Sequence, residues 1–170
     1  MRGRLFVAFA ISMLGTRAHA ANPQMCNVVV DITDNDPKGT NVHATPGGAI
    51  LAALKSSGDA WIEVHVTGQE RDWYRIDRAN LIDPGGSAEE RVIFRGPGWL
   101  HQSVLGVSGL QGGSAIYRDH DAKGPLLDAH PSGDEPVTLL GCWGEFLKVR
   151  SKKGVGWTRE ACTNMVTTCV

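Results

Sequence analysis

RGPGWLH at residues 95–101 and KGVGWTR at residues 153–159 share one pattern: a basic residue, Gly, any residue, Gly, Trp and two more. A second pair lies upstream at its own constant offset. VHVTGQERDWYRI (64–76) aligns without gaps on VTLLGCWGEFLKV (137–149), 73 positions further on. Val64 meets Val137, Gly68 meets Gly141, Trp73 meets Phe146, Arg75 meets Lys148 and Ile76 meets Val149. Self-similarity at fixed offsets marks two copies of one supersecondary unit. A duplicated small β unit that repeats no catalytic set points to a binding module.

Outward from the repeats the texture is all-β. Short runs of Val, Ile and Leu alternate with Gly, Pro, Asp and Ser clusters, and no segment sustains helical periodicity. Cys26 to Val30, Asn41 to Ala44, Ala49 to Leu54, Trp61 to Val66 and Trp73 to Ile76 read as the strands of a first module, which Gly96 to Leu105 closes. Residues 77–92 are an insertion that the second copy lacks, with Asp83-Pro84-Gly85-Gly86 at its turn. The second module reads as strands at Ala115 to Tyr117, Pro125 to Ala129, Val137 to Gly141, Glu145 to Arg150 and Gly154 to Thr158. The boundaries are a first module at 21–108, a Gly-rich linker at 109–113 and a second module with a Cys-containing tail at 114–170. Five short strands and tight turns per module fit a small closed barrel, which removes exposed edges.

Residues 1–20 read as a cleaved leader: Arg2 and Arg4, an apolar stretch from Leu5 to Leu14, then Ala18-His19-Ala20. The apolar run is too short for a membrane span. The expectation is therefore an exported protein, periplasmic or secreted, cut after Ala20. Of the 17 basic residues, Arg2, Arg4 and Arg17 leave with the leader, so 14 face 18 acidic ones and the net charge is near −4. That balance argues against nucleic acid, which wants a basic stripe, and against anionic membrane surfaces. Cys26, Cys142, Cys162 and Cys169 all follow the leader, and an even count in an exported chain reads as two disulfides. Three connectivities are open. The six-residue spacing of Cys162 and Cys169 suits a small loop, and that choice pairs Cys26 with Cys142.

Asp36-Pro37-Lys38-Gly39-Thr40-Asn41-Val42-His43-Ala44-Thr45-Pro46-Gly47-Gly48 resembles the D-P-x-G-L-N-V-R-x-x-P-G opening of bacterial SH3 (SH3b) domains. Gly98-Trp99-Leu100-His101 is similar to that family's G-W-V-H strand, and Leu147-Lys148-Val149 with Gly156-Trp157 to its W-x-x-V…G-x-x-G-W pattern. His43 stands where Arg is usual, and the second module offers Ala115-Ile116-Tyr117-Arg118 in place of the N-V-R box. The resemblance implies two tandem SH3-like five-stranded barrels that hold peptidoglycan peptide or glycan, or an envelope protein. It also implies that the turn between the second and third strands lines the ligand groove.

Trp99 and Trp157 sit beside paired glycines and read as structural packing across each barrel, as do Trp73 and its match Phe146. Adjacent strand residues face opposite ways, so Tyr74 is assigned to the surface. Trp143, in the Gly141-Cys142-Trp143-Gly144 turn, suits stacking on a ligand or covering a neighbouring disulfide. Trp61 suits the same two roles. With His43 and Tyr117 these complete the candidate contacts: Trp143, Tyr74, Trp61, His43 and Tyr117.

Catalytic chemistry finds no support. The cysteines are spent in disulfides, there is no CxxC, and no nucleophile has a convergent base. Asp119-His120-Asp121 are consecutive and cannot converge on one metal. Asp34 to Gly39 echoes a calcium loop, but Lys38 occupies a ligand position and Thr45 replaces the bidentate Glu. The expectation is a non-enzymatic envelope-binding protein without cofactor or metal. The alternative is a structural or inhibitory accessory that docks one periplasmic protein.

Overall fold

The computed structural model describes residues 24–84, 91–111, 114–131 and 135–163, so the leader and Cys169 lie outside the described residues. The first module contributes β1 (Gln24–Ile32), β2 (Thr40–His43), β3 (Ile50–Leu54), β4 (Trp61–Glu70), β5 (Trp73–Ile82), β6 (Arg91–His101) and β7 (Leu105–Gly106). A single 3₁₀ turn (Gln102–Val104) separates β6 from β7. These strands form one antiparallel sheet in the order β3-β2-β6-β5-β4-β1-β7. After β8 (Gly109–Leu110) come β9 (Ile116–Tyr117), β10 (Leu126–Asp128), β11 (Thr138–Trp143), β12 (Phe146–Ser151), β13 (Gly154–Thr158) and β14 (Ala161–Cys162). The second sheet has five strands in the order β10-β9-β13-β12-β11, and β8 pairs with β14. The described residues are all-β apart from that 3₁₀ turn and the connecting segments, as the alternating texture predicts.

The two copies agree in register as well as in sequence. Arg75 pairs with Trp99 as Lys148 pairs with Trp157, and Ile76 with Gly98 as Val149 with Gly156. His43 then pairs with Trp99 as Tyr117 pairs with Trp157. The repeated glycine has a steric cause. A Cβ on Gly98 would lie 2.3 Å from Val42 Cγ1, and one on Gly156 would lie 2.5 Å from Ile116 Cγ2. In each module the opening strand crosses directly over this glycine, leaving no room for a methyl group. Gly98→Ala and Gly156→Ala are each expected to cost about 1–3 kcal/mol by overpacking. Urea unfolding measures this, and a loss below about 0.5 kcal/mol would count against the crossing.

The hairpin turns repeat too. Arg71 and Asp72 join the Glu70–Trp73 pair, and Gly144 and Glu145 join the Trp143–Phe146 pair. In both, the first loop residue has positive φ, 54° at Arg71 and 53° at Gly144, as tight two-residue hairpins demand. The 77–92 insertion forms no separate loop through its described part. It becomes the outer ends of β5 and β6, with Ile82 paired to Trp61, and β4 runs ten residues where β11 runs six.

Three expectations need correction. First, the interior is aliphatic, and none of the five tryptophans is fully buried. Trp99, Trp157, Trp73 and Phe146 are half-buried on outward faces. Their strand neighbours Leu100, Thr158, Tyr74 and Leu147 point inward instead. Second, Tyr74 is not at the surface: it is fully buried opposite Leu100. Burial holds its phenol above the ordinary value. Third, the Gly-rich segment is no free spacer, because Leu110 is fully buried and β8 is held by β14.

One apolar cluster spans both modules, joining Val28, Val30, Val64 and Ile76 to Leu139, Cys142, Leu147 and Val149. β1 lies at the seam. Cys26 and Cys142 are disulfide-bonded, one of the pairings the sequence allowed, and Cys162 is also in a disulfide. Around the seam, Asn27 N donates to Gly144 O at 2.6 Å and Gly144 N to Met25 O at 2.9 Å. Gln102 Nε2 donates to Leu139 O at 3.1 Å. Also on β1, Asp31 is fully buried, opposite Glu63 in the β1–β4 register. Ser108 Oγ donates to its Oδ2 at 2.8 Å, while Oδ1 has no partner among the described residues. Burial pushes the Asp31 carboxyl up to about 8, against a partial pull down from the Ser108 hydrogen bond.

Candidate functional site

Strand alternation sends the large apolar residues of β4, β5 and β12 inward and leaves rings on the outer face. In the first module those rings are His43, Trp73 and His101. Trp73 meets His43 edge-on at 5.1 Å and His101 at 5.2 Å. His43 is also anchored, its Nδ1 donating to Gly48 O at 2.7 Å. The equivalent positions in the second module hold Tyr117, Phe146 and Arg159. Tyr117 meets Phe146 at 6.3 Å, and the Arg159 guanidinium lies 5.6 Å from the Phe146 ring centre. Each module thus presents a three-member aromatic or cationic cluster, centred on Trp73 of β5 in the first and on Phe146 of β12 in the second.

The second module adds a feature at its β11–β12 hairpin. Trp143 is 48% exposed, the largest aromatic left open to solvent. Cys142 is fully buried, so the two neighbouring side chains point to opposite faces and the indole does not roof the disulfide. His120 stands between Trp143 (4.9 Å) and Trp157 (5.3 Å), and its Nδ1 lies 2.6 Å from Asp119 Oδ1. Lys148 Nζ sits 5.5 Å from the centre of the Trp157 ring, a cation–π arrangement. A groove flanks Trp143 on each side. One, of about 390 Å³, is lined by His120, Lys123, Phe146 and Arg159. The other, of about 380 Å³, opens toward the first module and is lined by Gln69, Arg71, His120, Lys148 and Trp157.

Trp61 lies elsewhere, on a groove of about 660 Å³ with Asp34, Asp36, Asp59 and Lys55. Its indole N–H donates to Glu63 Oε1 at 3.3 Å, which makes it a brace. Two of the carboxylates there are also spent locally: Asp34 accepts from Asp36 N at 3.0 Å and from Thr40 Oγ1 at 3.0 Å, and Asp36 accepts from Lys38 N at 2.8 Å. Among the described residues no three His, Cys, Asp or Glu side chains gather as metal ligands.

The structure therefore separates the five sequence candidates. Trp143 and Tyr117 lie on the outer face of the second module and His43 on that of the first, while Trp61 lines a distant groove and Tyr74 is buried. Sequence reasoning missed His120, Lys148 and Arg71 as neighbours of Trp143. From sequence, His120 is weighed only as a metal ligand and set aside, and only the β9–β13 pairing brings its segment beside the hairpin.

No family model matches the chain, and no curated protein matches it. Among solved structures it is similar to NlpC2 from Trichomonas vaginalis, with TM-score 0.32 and 12% identity over 85% of this chain. The chain spans half the length of that protein. A likeness this distant carries no functional argument.

Proposed function

We propose that this chain is an exported, non-enzymatic binding protein of the cell envelope, built from two SH3b-like modules and taking wall peptide or glycan on the Trp143 face. The observation that carries the reading is the half-exposed indole with a groove on either side and a histidine ring packed at a tilt against it. A flat amphipathic ring held in one orientation stacks on sugar faces or apolar peptide side chains and still offers an N–H. The disulfide between Cys26 and Cys142 suits an oxidising compartment.

Retention on purified peptidoglycan sacculi tests this. Trp143→Ala is expected to weaken binding on the order of tenfold or more, the usual cost of removing a tryptophan anchor. The melting temperature should move little, because about half of the side chain is already in solvent. Retention untouched by the substitution would refute the Trp143 face.

The seam supports a second reading, in which the fused modules form a rigid body that docks one envelope protein. A single dominant cross-linked protein in place of the sacculus would favour it.

A further inference from the structure

We infer that the groove between Trp143 and the first module is an anion site that takes a free carboxylate of a wall peptide, an inference that rests on the function proposed above. Its basic lining is Arg71, Lys148 and His120, and no Asp or Glu lines it. In a chain whose acidic residues outnumber its basic ones, a groove with only basic charged residues is a local departure from the average. The His120 ring faces Asp119, with Nδ1 2.6 Å from Oδ1. Arg71 and Lys148 have no ion-pair partner among the described residues. Two unmatched cations beside two indoles form a pocket for an anion carried on an apolar or ring-shaped group.

The site is built from both halves of the chain. Arg71 comes from the β4–β5 turn of the first module, and Lys148, His120 and Trp143 from the second. Gln69 fixes their relation: its Oε1 accepts from Cys142 N at 3.0 Å while its Nε2 donates to Arg71 O at 2.9 Å. Gln24 Nε2 donates to Cys142 O on the same strand. The Gln69 amide thereby holds the Arg71 turn against β11 and the Gln24 amide ties β1 to the same strand, which leaves the cations to meet a ligand. Arg71 is also a poor residue for its backbone. At φ 54° glycine is favoured, and the matching turn of the second module uses Gly144. Guanidinium pairs with carboxylate through two parallel hydrogen bonds, a geometry that glycine forgoes and lysine does not reproduce.

The test compares the full chain on native sacculi and on sacculi whose carboxyl groups have been converted to primary amides. Arg71→Gly is the informative variant, because glycine suits this φ and the protein keeps its fold; a thermal melt verifies that. The expected result is about tenfold weaker retention on amidated sacculi. Arg71→Gly should lose the same factor on native sacculi and nothing further on amidated ones. Equal retention of the parent chain on both materials overturns the carboxylate site, while a Trp143→Ala defect in that same assay keeps the wall-binding reading. Retention on neither material overturns both.

Discussion

Asp31→Asn is expected to stabilise the protein at pH 8 by on the order of several kcal/mol and to change little at pH 4. The carboxyl is fully buried, satisfied on one oxygen by Ser108, and pushed from 3.8 up to about 8 by burial. A raised carboxyl value means that the folded chain keeps a proton which the unfolded chain releases near pH 4. Between pH 4 and 8 the unfolded state therefore binds fewer protons, and this group's contribution to stability falls as pH rises. The slope is at most about 1.4 kcal/mol per pH unit and flattens above pH 8. Asn is nearly isosteric and never ionises, so it removes the slope. Denaturant unfolding of both chains from pH 4 to 8 measures the difference, which should widen steadily with pH. A gap that stays constant across the range would mean that Asp31 is not the protonated group.

Replacing both Cys26 and Cys142 by Ala should lower stability by about 2–5 kcal/mol. The bond closes a separation of 116 residues, and the entropy it removes from the unfolded chain grows with loop length. Both residues also sit in the shared apolar cluster, so the variant loses packed sulfur as well as the crosslink. Guanidinium unfolding should show an earlier midpoint with a single transition, since the apolar cluster still joins the modules. An unchanged midpoint would mean that the cluster and the seam hydrogen bonds suffice without the crosslink.

Much of the strand layout was legible because its determinants are local. Trp61 to Val66 alternates so that one of its two sets must face inward, and the structure buries the set Ile62, Val64 and Val66. The duplicated Gly-Trp pairs were aligned correctly because the glycines answer to a strand crossing in both copies. Which face each ring occupies was not legible. Alternation divides a strand into two sets without saying which is inner, and side-chain size was the wrong criterion. The Trp73 to Phe146 match was right, yet both residues point outward and the smaller-looking alternative, Tyr74, fills the core. The site was half legible. Trp143 stands out as an aromatic at a turn, whereas Arg71 and Lys148 converge on one groove only through tertiary packing at the seam.

That seam governs how the molecule can be dissected. β1 is the first strand among the described residues yet packs against β11 and β12 of the second module, so a cut in the 109–113 connection would strip each half of part of its interior. Isolated halves would expose aliphatic surface and adhere to many materials indiscriminately. Ligand mapping on this protein calls for point substitutions in the intact chain, because apparent binding by a fragment would report stickiness in place of recognition.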